Sequence, residues 1–289
     1  MALGARNSYY YSANTYRPTL LAIAYRMTGE LMASEDIVQD VLLRFMNNTS
    51  ENIQDRKAYL AKCVMNASLT YLDRVKRERE VYKGIWLPEP VMAESHRAMD
   101  ARLDISYGFI LLLEKLSPME RAIFVLKESF EFSYPELAKL FETTEANGRQ
   151  LYHRAKEKMA GTNRRYVSDS QRKQELLRAF VDASETGDVE SLIQQLKTDV
   201  ALYTDGGGKV AAAIKPLFGL ATVEQFLRGL ASKFGHLFIS KWSVVNGEPA
   251  LLLIQKEDNR LDTIMVLESD ETGIERIFAI RNPDKLKHL

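Results

Sequence analysis

The sequence predicts a multidomain protein, two all-α domains followed by an α+β domain, and three observations carry that prediction. Through roughly the first 165 of 289 residues, apolar positions recur at helical spacing with no sustained two-residue alternation. From Arg172 onward one helical stretch gives way to alternating runs such as "HLFISKWSVVN" and "RLDTIMVLES", the mark of half-buried strands. Between the two helical blocks lies "GIWLPEP", residues 84–90, where Pro88 and Pro90 fix the backbone and remove amide donors. A flexible linker would be rich in Gly and Ser. This one is stiff and apolar, as though made to be held. The expected divisions are 1–83, a linker over 84–100, 101–165 and 170–289, with the last boundary near residues 165–173.

A hydrophobic content of 46% is ordinary for a folded chain. The one cysteine, Cys63, excludes an intramolecular disulfide framework and a cysteine-based zinc site, and is expected to be a small apolar core residue in a reducing compartment. The N-terminus, "MALGARNSYYYSANTYRP", carries no apolar run of signal-peptide length, and no run of 18 apolar residues occurs, so a cytoplasmic location is expected. The net charge of zero conceals an asymmetry. Residues 1–172 hold 25 Lys and Arg against 22 Asp and Glu, whereas residues 173–289 hold 14 against 17.

Taken in order, "TLLAIAYRMTGELMASEDIVQDVLLRF" is two helical blocks broken at "TGEL", a helical hairpin. Ser34, followed by Glu35 and Asp36, is expected to cap the second helix. That helix would expose Glu35, Asp36, Gln39 and Asp40, with Val38, Val41 and Leu42 at its edges. Residues 56–83 form a third helix with apolar positions at Tyr59, Leu60, Val64, Leu69, Leu72 and Val75. Asn66, Ser68 and Thr70 interrupt its middle, so that face either meets water or touches something with hydrogen-bonding edges. After the linker come "RLDISYGFILLLEKL" and "SPMERAIFVLKESF", the second opening with Ser117, Pro118 and Glu120, a capping box.

The segment "YPELAKLFETTEANGRQLYHRAKEK" holds two short helices, one started by Ser133, Pro135 and Glu136, the other capped by Thr144. This is the pattern of a helix-turn-helix, whose second helix enters the DNA major groove. Arg149, Gln150 and His153 share one face, with Leu151 and Ala155 on another. Arg and Gln can read guanine and adenine edges, while Arg154, Lys156 and Lys158 suit phosphate contacts. From Arg149 to Arg165 six basic residues face a single acid, Glu157, an electrostatic footprint for a polyanion. Gly148 weakens this helix by about 1 kcal/mol relative to Ala, unless close approach of another backbone requires it.

The last part begins with the helical "RKQELLRAFVDASETGDVESLIQQL" and continues through "VALYT", the glycine run "DGGGK", and the strand-like "HLFISKWSVVN", "PALLLIQKE", "RLDTIMVLES" and "GIERIFAIRN". A helix followed by a meander predicts a curved antiparallel sheet. The glycines permit positive φ and close backbone approach, with Asp205 and Lys209 as available charges. A regulatory contact, a ligand site and a strained sheet turn all fit. A P-loop does not, because the GxxxxGK[ST] spacing is absent.

In this order the segments resemble an alternative sigma factor of bacterial RNA polymerase, of the extracytoplasmic-function type. "LLAIAYRMTGELMASEDIVQDVLLRFM" and "RKAYLAKCVMNASLTYLDRVKRERE" are similar to sigma region 2, a helical bundle, and "LLEKLSPMERAIFVLKESFEFSYPELAKLFETTEANGRQLYHRAKEKM" to region 4. "WLPEP", "DGGGK" and "NPDKL" (282–286) resemble the signature of the group that carries a SnoaL-like C-terminal domain, a cone of curved sheet and helices. The resemblance implies that Asp36, Gln39 and Asp40 dock the β′ coiled coil of core polymerase, that region 4 meets the β flap, and that Tyr59, Lys62, Asn66 and Arg74 hold the minus-ten element. It implies minus-thirty-five recognition by Arg149, Gln150, His153, Arg154, Lys156 and Lys158. Regulation in cis would run through Trp86, Leu87, Pro88, Glu89, Pro90, Asp205, Gly206, Gly207, Gly208, Lys209, Asn282, Pro283, Asp284, Lys285 and Leu286. The implied partners are core polymerase and promoter DNA, with a small-molecule ligand in the C-terminal pocket left open, no membrane, no cofactor or metal, no catalysis, and a monomer when free.

The alternative is a helix-turn-helix regulator fused to a ligand-sensing or catalytic SnoaL-like domain, for which Asp205, His236 and His288 are the acid/base candidates. It leaves the acidic second helix and the Asn66 segment unexplained.

Overall fold

The structure is a computed structural model that describes residues 2–47, 53, 55–92, 106–160, 189–270 and 272–289. The chain divides into two compact units. One takes in residues 1–77, 98–105 and 109–163, the other residues 78–97, 106–108 and 164–289. Among the described residues no helix is long and apolar enough to cross a membrane.

The first unit is helical, built from α1 (Ala2–Thr28), α2 (Leu31–Asn47), α3 (Arg56–Glu80, up to Arg77), α4 (Tyr107–Leu113, from Phe109), α5 (Pro118–Phe130), α6 (Tyr134–Leu140) and α7 (Glu145–Ala160). Every residue from Thr19 to Gly29 is buried, as expected of a helix covered on all sides. The α1–α2 hairpin breaks where expected, at Gly29 (φ +68°), but α2 starts at Leu31 rather than after Ser34. The Thr28 hydroxyl takes the Glu30 amide at 3.1 Å. Ser34 lies buried inside the helix, donating to the Glu30 carbonyl at 2.6 Å and 2.8 Å from the Thr28 hydroxyl. Turning the chain through a left-handed glycine moved the start back by one turn. Val38, Val41 and Leu42 are core residues and not an exposed edge.

The capping box expected at Ser117 is present, and Ser133, expected to start a helix, forms a second one. Ser117 and Glu120 close the start of α5, and Ser133 and Glu136 that of α6. Arg121, 4% exposed, ties α5 to the α1 hairpin by donating to the Met27 carbonyl at 2.6 Å, and it pairs with Glu114 at 2.6 Å.

The second unit holds α8 (Val189–Ile193), β1 (Leu196–Asp205), β2 (Leu217–Phe218), α9 (Leu220–Phe234), β3 (Phe238–Val245), β4 (Glu248–Gln255), β5 (Leu261–Asp270), β6 (Gly273–Ile280) and α10 (Pro283–Leu286). The expected helix over 172–196 falls mostly outside the described residues, as does the boundary near 165–173, and Leu196 already opens β1. The α+β class holds, but the sheet is mixed. Its order is β2-β1-β6-β5-β4-β3, with β3 to β6 an antiparallel meander and β1 parallel to β6. A crossover through α9 returns the chain so that β1 pairs with the last strand, a nonlocal pairing that local alternation does not reveal. α9 was also unforeseen. Its Val223 and Leu227 are buried against Val200, Leu202, Leu251, Met265, Leu267 and Ile277 on one sheet face.

Candidate functional site

The linker's residues 78–92 belong to the second unit, and there the segment is held rather than loose. Leu87 to Val91 are all buried, Leu87 completely. An extended segment has no internal partners for its amides and carbonyls, so burial requires outside ones. They are present. The Leu87 amide donates to Asp205 Oδ2 at 3.0 Å, and the Leu87 carbonyl accepts from Lys285 Nζ. The Pro88 carbonyl accepts from the Tyr107 hydroxyl at 2.5 Å. The Val91 amide donates to Asn246 Oδ1 at 3.0 Å and its carbonyl accepts from the Asn246 amide at 2.9 Å. Asn246 and Gly247 form the β3–β4 turn with positive φ, the Asn-Gly hairpin signal.

Asp205 is the hub. Fully buried at the end of β1, it pairs with Lys285 at 2.7 Å and accepts from the Tyr82 hydroxyl at 2.5 Å and the Gly207 amide at 2.9 Å. Burial, with Asp205 alongside, pushes the Tyr82 phenol well above the ordinary tyrosine range. Asn282 Nδ2 donates to the same hydroxyl at 2.8 Å, while its Oδ1 caps α10 through the Asp284 amide at 3.1 Å. Lys209 pairs with Asp284 at 2.5 Å. "WLPEP", "DGGGK" and "NPDKL" are thus brought to one place, with the charges of the last two cross-paired.

The glycines fit both properties expected of them. Gly207 and Gly208 have φ of +63° and +68°, and a β-carbon at Gly207 would fall 2.5 Å from Asn282 Cγ. Trp86 is half-buried, its ring lying 3.9 Å from the Arg79 guanidinium and 4.3 Å from Lys285 Nζ. Glu89, Pro88, Pro90 and Leu286 are buried, while Pro283 lies exposed at the first turn of α10. Sequence reasoning missed Tyr82, Tyr107 and Asn246. Only the Asn-Gly pair carried a signal.

Both oxygens of Asp205 are engaged, and His236 and His288 are exposed, so these three acid/base candidates do not converge. No group of His, Cys, Asp and Glu that could hold a metal exists among the described residues.

In the first unit, Asp36, Gln39 and Asp40 are exposed on α2. Their apolar neighbours at the surface are Met32 and Leu43, 38% and 46% exposed, and Arg44 pairs with Asp40 at 2.7 Å. On α3, Asn66 is exposed and Tyr59 half-buried, its ring 6.2 Å from Phe45. Lys62 pairs with Glu142 at 3.5 Å, and Arg74 lies over the Tyr71 ring at 5.2 Å. Ser68 is buried and Cys63 only half-buried, so the cysteine is not the core residue expected: it lies on the same helix stripe as Tyr59 and Asn66, at the edge of the exposed face.

On α7, Thr144 accepts from the Asn147 amide at 3.2 Å, and Leu151 and Ala155 are buried opposite exposed Arg149, Gln150 and His153, as the sequence predicts. The basic cluster is less free than its sum implied. Arg149 is bonded to Glu145 and lies over the Tyr134 ring, and His153 is 3.6 Å from Glu157. Arg154 and Lys158 reach Glu120 at 3.7 and 2.6 Å, and Lys156 reaches Glu128 at 3.8 Å. Glu120 and Glu128 come from α5, so counting along 149–165 could not include them. Burial tends to raise the Glu120 carboxyl, but the hydrogen bonds from Lys158 and Ser117 outweigh it and hold the group below its usual range. A β-carbon at Gly148 would meet only Tyr134 Cδ1, at 3.9 Å, so packing inside the unit does not require glycine there.

Comparison with known proteins agrees with both halves of this description. Residues 13–78 match the family Sigma-70 region 2, and residues 109–159 match Sigma-70, region 4. The chain is similar to the ECF RNA polymerase sigma factor SigJ of Mycobacterium tuberculosis, 32% identical over 240 residues, which is 80% of this chain and 77% of that relative. The crystal structure of the M. tuberculosis extracytoplasmic function sigma factor SigJ aligns with 95% of this chain and 96% of its own at a TM-score of 0.77 and 28% identity.

Proposed function

Because the chain belongs to the extracytoplasmic-function sigma factors, which bind core RNA polymerase and promoter DNA, we propose that its α+β domain regulates it in cis by gripping the linker between regions 2 and 4. A sigma factor confers promoter specificity and performs no bond chemistry of its own. Region 2 over 1–83 and region 4 over 101–165 contact two promoter elements, so the path of residues 84–100 bears on the spacing they can reach. The SnoaL-like domain over 170–289 supplies the grip. The observation that carries this reading is the buried Asp205–Lys285 pair closed on the backbone of Leu87. A buried ion pair is a poor device for stability alone, and a good one for fixing a single register.

The acidic face of Asp36, Gln39 and Asp40 docks the β′ coiled coil, and region 4 meets the β flap. Asn66, Tyr59, Lys62 and Arg74 hold single-stranded minus-ten bases and their backbone. Arg149, Gln150 and His153 read the minus-thirty-five element, while Arg154, Lys156 and Lys158 exchange Glu120 and Glu128 for phosphates. The protein acts in the cytoplasm, as a monomer on polymerase. The test is transcription with purified core polymerase from promoters whose spacer is varied in single base-pair steps. The parent chain should use a narrow range of spacers, and an Asp205→Asn variant a wider one. An identical range for both would overturn regulation through the grip.

A further inference from the structure

The second unit holds a buried carboxylate that belongs to none of the three motifs. Glu268, 2% exposed, stands on β5 opposite Arg276 of β6, where a strand facing a core would ordinarily carry an apolar side chain. Arg276 Nη1 approaches its Oε2 at 3.2 Å. Its Oε1 accepts from the Gly108 amide at 2.7 Å.

Gly108 and Tyr107 are the first residues of α4, the opening helix of region 4, and both are fitted to this sheet. Tyr107 is fully buried, its ring 5.3 Å from Phe278 of β6 and its hydroxyl on the Pro88 carbonyl of the gripped linker. A β-carbon on Gly108 would fall 2.5 Å from Glu268 Oε2 and 2.6 Å from its carboxyl carbon, so any side chain there would have to displace this carboxylate. A charge-assisted hydrogen bond to a buried carboxylate is among the stronger neutral-donor contacts a protein makes.

We propose that Glu268 is a positioning residue that anchors Tyr107 and Gly108, the residues at the start of α4 that belong to the second unit, so that the α+β domain holds the chain on both sides of residues 93–105: at Leu87–Val91 and again at Tyr107–Gly108. The anchor rests on geometry alone, and only the use to which it is put rests on the sigma-factor reading. The first grip sets where the linker runs. The second fixes the two residues that open α4.

Amide exchange on the full chain tests this, with Gly108→Ala displacing the carboxylate from outside the sheet, Glu268→Ala removing it, and Glu268→Gln keeping an acceptor oxygen. Exchange over residues 107–113 should rise about tenfold or more in the two alanine variants and be largely restored in the glutamine variant. Leu87 and Val91 should stay within about twofold of the parent, because their partners are untouched. In the spacer series, Gly108→Ala should use spacers that the parent rejects. A Glu268 whose role ended at Arg276 would instead open the β5–β6 ladder and leave 107–113 protected, and that result overturns the proposal. If the parent chain gives no transcript at all, the sigma-factor reading fails while the exchange result still decides the anchor.

Discussion

Replacing Asp205 with asparagine keeps the side-chain volume and removes one charge from the centre of the grip. The wild-type carboxylate accepts at Oδ1 from Tyr82 and Gly207 and at Oδ2 from Leu87 and Lys285. Turned toward Leu87 and Lys285, the new NH2 group faces two donors and both bonds are lost; turned the other way it loses the Gly207 bond, while the Tyr82 hydroxyl can reverse to accept, and in either orientation Lys285 loses the carboxylate charge of Asp205. Leaving one member of a buried pair alone costs about 3–5 kcal/mol. Because the lost contacts converge on the linker, the loss should appear as local opening before global unfolding. At the lower figure, exchange of the Leu87 amide would quicken by about a hundredfold, since roughly 1.4 kcal/mol is a factor of ten. Val91, held separately by Asn246, should follow to a smaller degree. The assay is amide exchange on the full chain, with Trp86 emission in a Trp242→Phe background as a second probe of the same site. If Leu87 exchanged at the parent rate in Asp205→Asn, the pair would not be what holds the linker.

Gly148→Ala should raise the stability of the helical unit by about 1 kcal/mol in a thermal melt, because the added methyl meets only Tyr134 and the helix gains propensity; a loss of stability would show a packing constraint that the structure lacks. The Glu120 carboxyl is depressed in the folded state, so its contribution is present above the unfolded carboxyl pKa near 4.3 and disappears as pH falls through the folded value. Glu120→Gln should therefore flatten the acid limb of the stability–pH curve, and an unchanged limb would refute that assignment. Asn66→Ala should leave stability within about 0.5 kcal/mol, since the residue is exposed, while reducing open-complex formation. Gln150→Ala should cost about 1–3 kcal/mol of discrimination at one base position of the minus-thirty-five element, read by competition among promoter variants.

What could be read from the sequence was what local chemistry dictates. The capping box at Ser117 and the helix start at Ser133 need only local spacing, and both are present as expected. The start of α2 was misjudged because Gly29 lets Thr28, not Ser34, satisfy the first free amide. Parallel pairing of β1 with β6 joins residues about seventy-five positions apart, such as Tyr203 and Phe278, and no alternation pattern encodes it. α9 carries a helical period in Leu220, Val223 and Leu227. The same contrast holds at the grip. Asp205 and Lys285 stood inside conspicuous motifs, whereas Tyr82, Asn246 and Glu268 look like ordinary helix-end, turn and strand residues until the fold brings them to the linker and to Gly108. The basic stretch of α7 misled in the opposite sense, because Glu120 and Glu128 reach it from another helix.

The most direct test of the account is a run-off transcription assay with purified core polymerase, in which the parent chain and Asp205→Asn are compared on one promoter across the spacer series. The account predicts a transcript that requires the added chain, confined to few spacers with the parent and spread over more with the variant. A transcript with the same spacer profile for both would contradict regulation through the gripped linker, and no chain-dependent transcript from either would contradict the function itself.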